Sequence, residues 1–210
     1  MRAIACALLL VLVACEGSPT ARQLDLDRVT IGGAHLRTDA IGDGKFTEQA
    51  TFVLIDANNA NDDGAYITLG GELTANGDAV GELKTQSLWV PAHGSRTFAL
   101  VDDQRAARPT ADGARVLVRG ASADTAPIAH VDGVHDMDDY GKRVVQGELV
   151  NDADRPGTVM VIASFHDARG KPMTRPFEMI AVAPHAHQAV QFVGPPGSVT
   201  ADLYVGDIAY

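Results

Sequence analysis

Apolar residues along this chain recur with a period near two, in short runs broken by clusters of Gly, Asn, Asp and Pro. Alternation sends successive side chains to opposite faces of an extended backbone, so each run predicts a strand with one face on a core. The runs predict strands near 25–31, 50–56, 65–73, 79–90, 95–101 and 114–119, then a second set near 126–134, 142–151, 158–166, 177–182, 187–193 and 199–208. No window holds an apolar stripe at i, i+3, i+4 and i+7, and 21 glycines with 10 prolines punctuate the runs at the spacing of a sandwich. The expected fold class is all-β, two tandem antiparallel β-sandwiches with little helix.

The two sets of strands share a plan. In the first, Asn59 is followed by Gly64, a strand, the turn Ala75-Asn76-Gly77-Asp78, a second strand and Pro91-Ala92-His93-Gly94 before Phe98. In the second, Asn151 is followed by Gly157, a strand, the turn Asp167-Ala168-Arg169-Gly170, another strand and Pro184-His185-Ala186-His187 before Phe192. Gly77 to Pro91 and Gly170 to Pro184 have the same spacing of 14, as a repeated strand-turn-strand unit requires. Coincidence between two glycine-rich segments is the alternative.

Three segments of the second half carry a resemblance: Gly147-Glu148-Leu149-Val150-Asn151, then Ser164-Phe165-His166-Asp167-Ala168-Arg169-Gly170-Lys171, then the Pro184 turn and Phe192. Together they resemble the small immunoglobulin-like domains of exported bacterial proteins named for an F-x-L-Y-D pattern. His166 stands where that family often has an aromatic residue, and the first half keeps the turn and proline features alone. The resemblance implies two tandem immunoglobulin-like sandwiches and an exported setting, and it implies no activity, because such sandwiches host unrelated functions.

The N-terminus gives an address. Residues 1–15 read MRAIACALLLVLVAC, one cation followed by an apolar run too short to span a bilayer. Its end, Leu12-Val13-Ala14-Cys15, resembles the bacterial lipobox, in which the cysteine thiol accepts a diacylglyceryl group and the leader is removed before it. The expected organisation is a lipoprotein signal peptide over 1–14, a tether over 15–23, one immunoglobulin-like sandwich over 24–122 and a second over 123–210. Cys15 is the expected lipidation site, and the acyl chains that the resemblance implies suffice for stable membrane attachment. Glu16, where many inner-membrane lipoproteins carry Asp, favours the outer membrane by the same resemblance.

Composition narrows the partners. Seventeen Lys and Arg against 27 Asp and Glu give a net charge of −10, which speaks against nucleic acid. Cys6 falls in the leader, so the body has neither disulfide nor redox thiol and must be held by packing. The expected partners are the membrane, through the lipid, and another envelope protein or polymer.

Candidate chemistry clusters late. Five of the seven histidines follow residue 125, and the segment 130–139 is the densest set of possible ligands. His130, His135, Asp136 and Asp138, with Asp139 and Gly141, make a candidate oxygen- and nitrogen-rich site, although the spacing lacks the alternation and closing glutamate of an EF-hand loop. A solvated hairpin explains the same residues. His185 and His187, two apart, share a face of an extended chain as two imidazoles of a zinc or copper site would, with His166 or the His130/His135 pair supplying a third ligand if the fold brings them together. Asp56 to Gly64 forms another polar loop with possible calcium oxygens. Trp89, the sole tryptophan, either packs at a rim or anchors a partner. No G-x-S-x-G elbow, S-x-x-K pair, H-E-x-x-H helix or thiol nucleophile occurs, and Gly32-Gly33 and Gly70-Gly71 lack the context of a phosphate loop. The expectation is a non-enzymatic binding or structural module with no cofactor; the alternatives are a periplasmic metal-binding protein and, more remotely, a hydrolase using paired carboxylates.

Overall fold

A computed structural model describes residues 22–41 and 48–210. The leader 1–14, Cys15 and the tether as far as residue 21 lie outside the described residues. The described chain is all-β, and one 3-10 turn, Leu26–Arg28, is its helical element. That turn interrupts the strand expected over 25–31, because the Asp25 carboxylate accepts the Asp27 N–H and caps it.

Seven strands form the first half: β1 (Val29–Ile31), β2 (His35–Ile41), β3 (Glu48–Asn59), β4 (Ala65–Ala75), β5 (Asp78–Val90), β6 (Ser95–Val101) and β7 (Gly113–Ala123). Seven form the second: β8 (Ala129–Asp139), β9 (Lys142–Asn151), β10 (Gly157–His166), β11 (Pro172–Thr174), β12 (Phe177–Val182), β13 (His187–Val193) and β14 (Thr200–Ala209). β2 and the short β11 lie where no strand was expected. Both are edge strands in which packing on the other sandwich replaces clean alternation.

All pairings are antiparallel, and the two halves repeat one topology. β3 lies between β2 and β6 as β9 lies between β8 and β13. β4 lies between β5 and β7 as β10 lies between β12 and β14. In the first sandwich Val53, Ile55 and Phe98 face Ile67, Leu69 and Leu88. In the second, Val145, Leu149 and Val190 face Val159, Val161, Phe165 and Leu203. Each buried side chain of this size contributes about 1.5–3 kcal/mol, which is how the body stands without a disulfide.

The repeat is written into one corner of each sandwich. The buried Asn59 amide donates to Asp63 O at 2.8 Å, and its Oδ1 accepts the Asn61 N–H at 3.1 Å. Asn151 repeats this, donating to Arg155 O at 3.3 Å and accepting the Ala153 N–H at 3.3 Å, and its amide reaches Ala183 O at 2.8 Å as that of Asn59 reaches Pro91 O at 3.3 Å. Their own N–H groups reach Gly94 O and Ala186 O, so Gly94 matches Ala186 and Pro184 matches Ala92. The equal glycine-to-proline spacing is therefore one residue out of step. The first hairpin closes on the two-residue turn Asn76-Gly77, both at positive φ (51° and 88°), whereas the second needs a longer loop before β11.

Candidate functional site

The sandwiches meet through sheet faces that would otherwise be solvated. On β10, Val159, Val161, Ala163 and Phe165 point into the second core, so Ile162, Ser164 and His166 point outward. Tyr204 of β14, opposite Ile162, points the same way. Yet Ile162 is 0% and Tyr204 3% exposed, because both join the buried cluster of the first sandwich. The Tyr204 hydroxyl donates to Thr97 O at 2.7 Å, and the Arg96 guanidinium lies 4.6 Å from the ring centre while pairing with Asp202 at 2.8 Å. Burial pushes the Tyr204 hydroxyl's pKa up, against the pull of Arg175 and Arg96.

His166 belongs to this seam. Its Nε2 sits 3.0 Å from Asp56 Oδ2, and the Thr97 hydroxyl donates to Asp56 Oδ1 at 2.5 Å. Beside it His35 Nδ1 donates to Pro172 O at 2.6 Å and Arg37 to Met173 O at 2.7 Å. Asp56 is thus a strand residue holding the interface. In the loop that follows, Asp62 pairs with Arg28 and His93, each at 3.3 Å, and Asp63 with Arg22. Sequence reasoning named His166 for another role and missed Tyr204. The usable signal is the unbroken apolar run Val159 to Ala163, which marks a strand buried on both faces.

The segment 130–139 is strand β8 through Asp139, with the turn at Tyr140-Gly141, so the loop expected at its end begins later. Alternation then separates the candidate ligands. His130 and His135 face outward, His130 between Asp132 (3.3 Å) and Asp152 (3.4 Å). His135 Nδ1 lies 2.9 Å from Gly133 O and its Nε2 2.7 Å from Gln146 Nε2, so both ring nitrogens are taken by local partners. Asp136 faces the other side, bonded to Arg143 Nε at 2.6 Å and to the Ala201 N–H at 2.9 Å. Asp138 accepts the Gly141 N–H in the turn at 3.0 Å. His185, at φ 52°, pairs with Asp154 at 2.9 Å, and His187 with Glu148 at 3.4 Å. Among the described residues no group of three or more His, Cys, Asp or Glu is placed to hold a metal ion.

One groove, about 380 Å³, opens on the outward face of the β8–β9–β13 sheet. A bulge between Asp132 and His135, with Gly133 at φ 60°, bends β8 away and forms it. Asp132, His135, Gln146, Glu148 and Gln191 rim it, over Ala189 and the backbone of Gly147. The Asp132 and Glu148 side chains are 64% and 55% exposed, so both stand in water, unlike the desolvated carboxyl of a general acid.

Trp89 is half-buried at the junction with the second sandwich. Its Nε1 donates to Asp124 O at 3.3 Å, and its ring occupies the space that a side chain at Gly64 would fill, 2.6 Å from such a Cβ. Comparison of the chain with protein-family models and with curated proteins finds no match.

Proposed function

We propose that this chain is a non-enzymatic cell-envelope lipoprotein, acylated at Cys15, that acts by presenting the surface of a rigid pair of immunoglobulin-like sandwiches to another envelope protein or polymer. The observation that carries the reading is the seam at Tyr204, Ile162 and the Asp56–His166 pair. Polar and aromatic side chains that a catalytic or metal site would use are spent there on fixing two sandwiches against each other. The lipobox-like Leu12-Val13-Ala14-Cys15 and the F-x-L-Y-D-type segments support the same setting. So does the net charge of −10, which keeps a tethered body apart from its copies and from anionic polymers.

Affinity capture with acylated protein from detergent-solubilised envelopes tests the reading. The expected outcome is a stoichiometric partner with wild type, and loss of both membrane fractionation and that partner in Cys15→Ser. Recovery of nothing beyond background by the acylated protein contradicts it.

A further inference from the structure

We propose that the outer edge of β13, His187–Val193, which no strand pairs among the described residues, is a docking strand for an extended segment of another protein that carries a Lys or Arg opposite Ala189. This rests on reading the chain as a binding body, and it names the surface and the partner's chemistry.

An unpaired edge is a template for strand addition, and folded proteins blunt their edges. This molecule does so almost throughout. The incoming chain covers β7, with Leu24 N–H on Ala121 O at 2.9 Å and Ala123 N–H on Arg22 O at 2.8 Å. Asp103 N–H closes on Glu82 O of β5 at 2.8 Å, and β5 pairs through two bulges. The Gln86 side chain takes the Ala99 N–H of β6 at 3.0 Å. His35 and Arg37 tie β2 to the second sandwich. β8 and β14 each carry a bulge and carboxylates, and β12 carries Glu178. By contrast, β13 has no Asp, Glu, Lys, Arg, Gly or Pro, and pairs with β9 in unbroken register over all seven residues.

The outward groups of β13 follow from the ladder. Asn151 N–H donates to Ala186 O at 3.0 Å and Gly194 N–H to Arg143 O at 2.7 Å, which sets the phase of the alternation. Gln188, Val190 and Phe192 then bond to β9, while His187, Ala189, Gln191 and Val193 aim N–H and C=O at the open side.

Charge selects the occupant. Ala189 lies opposite Glu148 across the β13–β9 ladder, beside the groove that Asp132 also rims and that no Lys or Arg lines. A strand added at β13 stands two strand spacings from β9, about 10 Å, and the short Ala189 leaves that path open to a long cationic side chain. A second copy is the poorer occupant, since β13 offers no cation and two chains of −10 repel.

The test uses the full body and an acetylated, amidated octapeptide of alternating Val and Thr with one central Lys. At saturation, amide exchange at Ala189 and Gln191 should slow at least tenfold, while Gln188 and Val190 stay as they were. Gln191→Pro, which removes an outward N–H and spares the β9 ladder, should weaken binding at least tenfold with an unchanged far-UV spectrum. Ala189→Lys, which brings its own cation to Glu148, should do the same and decides the matter if the proline variant misfolds. A peptide with Glu in place of Lys should not bind. Absence of protection, equal binding of the Glu peptide, unaltered binding by the variants, or dimerisation across β13 overturns the proposal. Envelope capture by the acylated protein reports a partner whichever surface holds it, so success there beside a failed peptide test removes the edge assignment alone.

Discussion

Asp102 is a carboxylate whose side chain is 0% exposed, held by Arg108 Nε at 2.8 Å and by the N–H groups of Gln104 and Ala106, each at 3.1 Å. Burial pushes its pKa up, but the Arg108 hydrogen bond, the Ala106 N–H and the Arg108 charge outweigh burial and hold it below the ordinary 3.8. Because folding lowers this pKa, the stabilisation is complete above the unfolded value and is lost as pH falls through the folded one. Asp102→Asn should destabilise the body by about 3 kcal/mol at pH 7, the low end for removing one partner of a buried pair, since Arg108 still reaches water. Chemical denaturation at pH 7 and pH 3 checks this: the wild-type advantage should shrink at the lower pH, and an undiminished gap would refute the assignment. The residue-scale logic of Asn59 and Asn151 was half legible. Their place before a turn is plain in the sequence, but burial and the matched carbonyl partners appear once two distant loops meet.

At the scale of the element, β8 shows what strand alternation does to a cluster of ligands. Residues adjacent in sequence, such as His135 and Asp136, emerge on opposite faces, and each binds a local partner. Saturating zinc, copper or calcium should therefore leave the melting temperature of the β-sandwich body unchanged. A resident site at 100 times its dissociation constant would add about 2.7 kcal/mol and a clear upward shift. The core strands were legible because one-sided burial imposes a period of two. β2 and β11 were not, because their side chains answer to the other sandwich, and no local pattern records a partner more than 130 residues away. Histidines were visible as a concentration, but their pairing with Asp132, Asp154 and Glu148 depends on register and turn geometry.

At the scale of the whole molecule, the seam decides how the protein behaves. Ile162 and Tyr204, outward on their own sheet, are as buried as core residues, so separating the sandwiches would expose an aromatic and an aliphatic side chain and strand the Asp56–His166 and Arg96–Asp202 pairs. A body held this way keeps its exposed edges in fixed relation to one another, which the proposed presenting role would require. That the two sandwiches are one cooperative body is tested most directly by urea unfolding followed by two probes: exchange of the β4 core amides for the first sandwich and exchange of the β10 core amides for the second. A single coincident transition is expected in wild type. Two separated transitions, each with its own midpoint, would contradict it.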